Sequence, residues 1–100
     1  VKMVQQVSVV SNKRCDVYRG TASDSASPSY KFSKETKNID IFCTNADLLI
    51  QIKFRKGIKS DWIWIPANFF VSFNCNATSF KVKNYTAGQN ATWQVIAWYE

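Results

Sequence analysis

The side chains that could perform catalysis are few in this sequence. The chain has no histidine, the residue that most often moves protons near neutral pH. It also lacks the Gly-x-Ser-x-Gly turn of many hydrolases and any glycine-rich phosphate loop, and its three glycines are far apart. The sequence therefore predicts a protein that is not an enzyme, with no catalytic residues and no cofactor.

Carboxylates remain as candidates, because a suitably spaced pair can hydrolyse glycosidic bonds. The acidic residues are Asp16, Asp24, Glu35, Asp40, Asp47, Asp61 and Glu100. Most of them lie in predicted turns or at outward-facing strand positions. We interpret them as solvated turn residues and expect no catalytic pair among them.

The three cysteines, Cys15, Cys43 and Cys75, do not form a metal-binding pattern. Without histidine, a zinc site would need thiolates alone, and three scattered cysteines do not supply the usual four ligands. Each cysteine shares its strand parity with apolar residues, so we interpret all three as buried free thiols. A disulfide between Cys43 and Cys75 is the alternative.

Trp62 and Trp64 are the most distinctive aromatic pair, and they share one face of a predicted strand while Ile63 and Ile65 share the other. We favour packing of the tryptophans in the interior or at a subunit interface. If the isoleucines face the core, the tryptophans stand on the surface beside several cations. Those cations are Lys53, Arg55, Lys56 and Lys59. Exposed rings among basic residues are typical of surfaces that bind sugars or single-stranded nucleic acid.

Three tripeptides fit the N-glycosylation pattern: Asn76-Ala77-Thr78, Asn84-Tyr85-Thr86 and Asn90-Ala91-Thr92. No secretion signal is visible in the sequence. We therefore interpret these asparagines as turn residues of a β protein, and their use as glycan acceptors as the alternative.

A period of two in the apolar residues predicts the elements that position these side chains. Leu48, Ile50 and Ile52, for example, alternate with Leu49, Gln51 and Lys53. We predict strands over residues 2–10, 14–19, 30–33, 39–44, 48–55, 62–65, 69–75, 79–85 and 91–99. Many short strands with turns between them favour an all-β, antiparallel β-sandwich of about eight strands, jelly-roll-like in organisation.

The chain has the length of a single domain, residues 1–100. Residues 1–29 are expected to form a partly extended docking arm and a loop, and the polar stretch 21–29 is the longest and most mobile loop that we predict. No apolar run approaches the ~20 residues of a membrane helix, so no membrane insertion is expected.

The last predicted strand is apolar at both parities, with Trp93 on one and Ile96 and Trp98 on the other. Such a strand is either covered on both faces or exposes one face to a partner chain. We take these three residues as candidate contacts of a homo-oligomer, in addition to Trp62, Trp64 and their neighbouring cations. The formal net charge of +6 favours acidic partners, although solubility alone would also explain it.

From Asn38 onward, the chain carries an ordered series of strand and turn motifs. In order they read CTNAD, LLIQIKFR, WIWIPA, FFVSFN, SFKVKNY, TAG and VIAWY. This series resembles small β-sandwich structural proteins of tailed-bacteriophage virions, such as head decoration proteins and fibre-associated modules. One departure is Asn68, since those proteins usually carry glycine there. The first forty residues show no such resemblance.

The resemblance implies a non-enzymatic virion protein that is assembled in the host cytoplasm. Its partners would be the capsid, other virion proteins or neighbouring copies of itself, and no small-molecule substrate is implied. Two alternatives remain open from the residues themselves. One is a carbohydrate- or receptor-binding module that uses Trp62 and Trp64, with a glycan as partner. The other is a small barrel that binds single-stranded nucleic acid.

Overall fold

The structure is a computed structural model that describes residues 14–99, and it confirms the all-β, antiparallel sandwich. Its strands are β1 (Cys15–Thr21), β2 (Tyr30–Lys31), β3 (Asn38–Thr44), β4 (Leu48–Phe54), β5 (Ile63–Ile65), β6 (Phe70–Phe73), β7 (Ala77–Asn84) and β8 (Thr92–Trp98). Each lies within, or within two residues of, a predicted strand. The strand predicted over residues 2–10 lies outside the described residues, as does most of the predicted arm.

Two four-stranded sheets form the sandwich. Sheet I has the order β1-β8-β3-β6, and sheet II has the order β2-β7-β4-β5. Every pairing between strands is antiparallel. The chain crosses between the sheets at each connection except the β4–β5 hairpin, where Arg55–Gly57 forms a 3₁₀ turn. This strand order is that of a jelly roll.

The core lies between the sheets and is built by the alternation seen in the sequence. On β4, Leu48 and Ile50 are fully buried while Gln51 is half-buried. Phe80 of β7 is the centre of an aromatic cluster, since its ring lies 5.6 Å from that of Trp93 and 5.4 Å from that of Phe32. Burial of each such side chain contributes about 1.5–3 kcal/mol, so this core supplies most of the favourable free energy of folding.

Residues 22–29, within the stretch 21–29 that we predicted as a mobile loop, are hydrogen-bonded to the last residues of β7 and to Ala91. The backbone N–H of Ala22 donates to the carbonyl of Ala91 at 2.8 Å, and that of Asn84 donates to Ser23 at 2.8 Å. Further along, the N–H of Ser27 donates to Val82, again at 2.8 Å. The segment therefore covers backbone at the end of β7 that the two-residue strand β2 is too short to reach.

The three cysteines are free thiols, of which Cys43 is buried and Cys15 and Cys75 are half-buried. Burial raises the pKa of the Cys43 and Cys75 thiols, so both are protonated at neutral pH. Within residues 14–99, no three histidine, cysteine or acidic side chains lie together in a group that could hold a metal ion. The same range contains no helix with the length and hydropathy needed to span a membrane.

Candidate interaction surfaces

The β5 strand settles which way the tryptophans point. Ile65 is 1% exposed and Ile63 packs against the core, so the opposite parity faces outward. The side chain of Trp64 is 53% exposed, and Trp62, just before the strand, is half-buried. Of the two arrangements that we favoured from the sequence, packing in the interior is therefore wrong for Trp64, and packing at a subunit interface stays a prediction.

Trp64 is held as part of a rigid pair of rings that we call the aromatic platform. Its ring stacks on that of Tyr85 with 5.3 Å between centroids and 22° between planes. Its Nε1 donates to Oδ2 of Asp47 at 3.0 Å, and the other carboxylate oxygen accepts from the N–H of Ala67 at 2.8 Å. Tyr85 is 50% exposed, so the platform is open to solvent.

Alternation also collects lysines on the outside of sheet II. Phe80 and Val82 of β7 point into the core, so Lys81 and Lys83 point outward. Lys53 is on the outward parity of β4 and lies opposite Ser79 of β7. We call the lysines on this surface the basic face: Lys31, Lys53, Lys59, Lys81 and Lys83.

The pairing register arranges the basic face in rows. Ser79 lies opposite both Lys53 on β4 and Lys31 on β2, and Lys53 also forms a bridge with Lys59. Since neighbouring strands are about 4.8 Å apart, this row places three lysines across a narrow stretch of sheet. A shallow depression of about 20 Å³ lies beside it, lined in part by Lys53, Lys59 and Lys81.

The charges of the basic face are uncompensated in the described part of the chain, where none of its lysines forms an ion pair. Lys83 instead places its Nζ 4.4 Å from the centre of the Trp62 ring. Arg55, predicted as part of this site, is neutralised by Glu35 at 2.8 Å. The predicted Lys53, Lys59, Trp62 and Trp64 therefore lie on one surface with lysines of β7 that we had not selected.

A second surface, the phenylalanine edge, consists of Phe69 and Phe70 with Phe42 beside them. Phe69 and Phe70 are 61% and 64% exposed, and Phe70 is paired with Phe42 of β3. Asn68, which precedes them, has a φ of 68°, a left-handed conformation that asparagine tolerates better than most residues. Its N–H donates to the carbonyl of Cys43 at 2.7 Å, which fixes the turn. We did not select these phenylalanines from the sequence, because alternation alone could not show that both parities are exposed at this point of the chain.

The last strand divides its predicted contact residues between core and surface. Trp93 is 3% exposed and belongs to the core, so it is not available to a partner. Ile96 is half-buried on the outer face of sheet I, and Trp98 is 41% exposed there. The Nε1 of Trp98 donates to Oδ2 of Asp40 at 2.8 Å, which fixes the ring against the sheet.

A wider depression of about 350 Å³ lies at the other end of the outer face of sheet I. It is lined by Arg19, Gly20, Thr21, Phe42, Thr44, Thr92, Trp93 and Gln94. The Nε of Arg19 donates to the side-chain oxygen of Gln94 at 2.8 Å, so two of its polar groups are already oriented. Threonine hydroxyls, the guanidinium of Arg19 and the aromatic side chains of Phe42 and Trp93 line the same space.

The predicted glycosylation motifs differ in their accessibility. Asn84 is 6% exposed, and its Nδ2 donates to Asp24 and to Asn90, each at 2.9 Å. Asn76 and Asn90 are exposed, but the amide of Asn76 donates to the carbonyl of Thr36 at 2.8 Å. Asn84 therefore serves the fold, but as the last residue of β7 and not as the turn residue that we predicted.

The fold and the two surfaces define the class of this protein as a jelly-roll β-sandwich with an open aromatic platform, a basic face and a phenylalanine edge. Comparison of the chain with protein-family models, curated proteins and solved structures found no match.

Proposed function

We propose that this chain is a non-enzymatic virion structural protein, which decorates a capsid or belongs to a fibre and binds neighbouring copies of itself. The observation that carries the proposal is the phenylalanine edge. Large apolar side chains that are more than 60% exposed and adjacent to one another are typical of surfaces covered by a partner.

The position of these residues at the edge of a sheet strengthens the proposal. β6 pairs with β3 on one side only, and the other side of its backbone is unpaired in the described chain. Monomeric proteins commonly protect such edges with lysine or proline, and β6 contains neither. A second copy could therefore add a strand at β6 and cover Phe69 and Phe70 in the same contact.

Two further features support a virion role. The turn at Asn68 has the positive φ that glycine favours, which fits the glycine usual at this place in the phage proteins that the sequence resembles. Jelly rolls also build viral shells, although the fold is shared by proteins of other functions. The basic face, on the opposite sheet, would suit an acidic capsid surface or another acidic component of the particle.

The proposal is tested by the native mass of the purified chain, measured by light scattering across a range of concentrations. We expect a closed oligomer whose dissociation constant rises at least about tenfold in Phe70→Ser, because an exposed aromatic at the centre of a contact contributes strongly to binding. The matched control is Ile58→Ser, since Ile58 is 61% exposed but lies in the β4–β5 connection. This control should leave the mass unchanged.

A different result would remove the proposal. It fails if the chain is a monomer at every concentration and does not sediment with purified tailed-phage particles. It also fails if Ile58→Ser weakens association as much as Phe70→Ser does, because the association would then be non-specific.

Carbohydrate or receptor binding is the second candidate function, and the depression on sheet I favours it more than the tryptophan pair does. Threonine hydroxyls, Arg19, Gln94 and the ring of Phe42 meet there, and sugar-binding sites combine hydroxyl partners with an apolar surface. A glycan array followed by Arg19→Ala and Phe42→Ala tests it. Glycan binding that both substitutions abolish supports this function, and an array without binders excludes it.

A further inference from the structure

We propose that the basic face and the aromatic platform together form a binding site for single-stranded nucleic acid. The lysines would contact the phosphates, and the open rings of Trp64 and Tyr85 would stack on unpaired bases. The inference does not rest on the assembly role, because it concerns the outer face of sheet II and not the phenylalanine edge.

The arrangement of charge is the first argument. Like charges directly opposite one another destabilise a sheet, and Lys53 faces Lys59 in this way. The same face also gathers lysines from β2 and β7, with no ion pair among residues 14–99 to offset them. The carboxylate of Asp61, near Trp62, does not form an ion pair with them. A polyanion would relieve this repulsion and release bound counterions as it binds.

The position of the rings is the second argument. Trp64 lies opposite Leu49, which lies opposite Lys83, so one row of the sheet runs from an exposed ring to a cation. Grooves for single strands combine these two features, because the cations follow the backbone while each aromatic ring accepts any base. The hydrogen bond from Trp64 to Asp47 holds the ring in place before a ligand arrives.

The same contacts argue against a neutral sugar on this platform. A sugar ring on a tryptophan needs acceptors for its hydroxyls beside the ring. Each carboxylate oxygen of Asp47 already accepts a hydrogen bond from the protein, one from Trp64 and the other from Ala67. The cations of the basic face are ammonium groups, which donate and do not accept.

Binding of a fluorescein-labelled oligo(dT) of about twenty nucleotides, followed by anisotropy over a series of salt concentrations, tests the inference. We expect Lys53→Gln/Lys81→Gln to weaken binding at least tenfold at low salt. Since each phosphate contact contributes about 0.7 to the salt slope of single-strand binding, the slope should fall by about 1.4. Trp64→Ala and, separately, Tyr85→Ala should each weaken binding about tenfold without changing the slope.

The charge-matched control is Arg14→Gln/Lys34→Gln, which lowers the net charge equally. Both residues lie beside Tyr99, at the end of sheet I: the backbone of Arg14 accepts from Tyr99, and Lys34 lies over its ring. The control should change affinity less than threefold. Thermal unfolding of each variant shows whether it remains folded. If Trp64→Ala does not fold, Tyr85→Ala and the double lysine variant still test the site.

Three results would overturn the inference. One is the absence of binding at low salt. The second is duplex DNA bound as tightly as oligo(dT), since paired bases cannot stack on the platform. The third is heparin bound as tightly as oligo(dT), with the affinity for both unchanged in Trp64→Ala. That result would identify the natural ligand of this face as an anionic glycan. Phe70→Ser, which tests assembly, should leave oligo(dT) affinity of the folded chain unchanged, so the two proposals fail separately.

Discussion

At the scale of single residues, the aspartates are acceptors that fasten the fold. Asp47 receives hydrogen bonds from the ring of Trp64 and the backbone of Ala67, and Asp40 receives one from Trp98 at 2.8 Å. Asp24 accepts from Asn84 and from the N–H of Gly88 at 2.8 Å. Their interpretation as solvated turn residues was therefore incomplete. A carboxylate in a turn is exposed to solvent and can still satisfy a donor that is distant in the sequence.

Asn84→Ala is expected to destabilise the protein by about 1–3 kcal/mol, because it leaves a buried backbone donor unsatisfied. The N–H of Ala91, which is fully buried, donates to Oδ1 of Asn84 at 3.2 Å. Urea denaturation measures the change, with exposed Asn74→Ala as a control that should alter the free energy of unfolding by less than about 0.5 kcal/mol. Equal effects of the two substitutions would contradict a structural role for Asn84.

The environment of Asp24 predicts that the folded protein loses stability in acid. The hydrogen bond from Asn84, and then that from Gly88, lower the pKa of its carboxyl below the ordinary value of 3.8. A carboxyl with a lowered pKa stabilises the folded state above the pKa of the unfolded chain, and this contribution disappears as the pH falls through the folded-state value. The urea midpoint of the wild type should therefore decrease below about pH 3.8 more steeply than that of Asp24→Asn. Parallel curves for the two proteins would contradict this role.

At the scale of elements, β1 and β8 show how one glycine controls the fit between two paired strands. Gly20 lies opposite Trp93, and a methyl group added at Gly20 would lie 2.9 Å from Cζ2 of that ring. The ring is 3% exposed and packs against Tyr30 and Phe80, so it has little freedom to move. Gly20 is needed for space, since its backbone carries no positive φ.

Gly20→Ala should therefore destabilise the fold by about 1–3 kcal/mol, the usual cost of overpacking a core. The matched control is Thr21→Ala, since Thr21 is the next residue of β1 and is exposed. Thermal unfolding would detect the difference, because about 1 kcal/mol shifts the midpoint of a domain of this size by about 4–8 °C. A Gly20→Ala midpoint equal to that of the control would show that the ring of Trp93 can move aside.

At the scale of the whole molecule, the two sheets share one core and have different outer surfaces. Sheet I carries the phenylalanine edge and Trp98, whereas sheet II carries the basic face and the aromatic platform. Because consecutive strands mostly alternate between the sheets, neither sheet can form without the other. The two surfaces are therefore held in a fixed relation, which would let the protein contact two partners at once.

A shared core predicts a single cooperative unfolding transition. Ile41 of sheet I and Ile50 of sheet II are both fully buried, so Ile41→Ala and Ile50→Ala should each cost about 2–5 kcal/mol. Far-UV circular dichroism and tryptophan fluorescence should give coincident curves for each variant. Separate transitions, with each substitution affecting only one, would show that the sheets unfold independently.

Much of the fold follows from the sequence alone, because alternation in short segments decides which side chains are buried. The pattern around Leu48, Ile50 and Ile52 predicts both the strand and its inward face. Local patterns also placed Trp62 and Trp64 on a common face beside Lys53. They could not decide which face pointed outward, since both faces of that strand are apolar.

Tertiary structure decided the features that depend on pairing between distant segments. Strand register places Lys81 and Lys83 of β7 on the same outer face as Lys53 of β4, and it makes β6 an edge strand with Phe70 exposed. Asp24 accepts hydrogen bonds from Asn84 and Gly88, which are about 60 positions away in the sequence. These bonds hold residues 22–29, which lie in the stretch that we predicted to be mobile. Alternation constrains neighbours along one strand, whereas the neighbours of a strand in its sheet are chosen by packing of the whole core. For that reason the separate β elements were predictable, and the surfaces they form together were not.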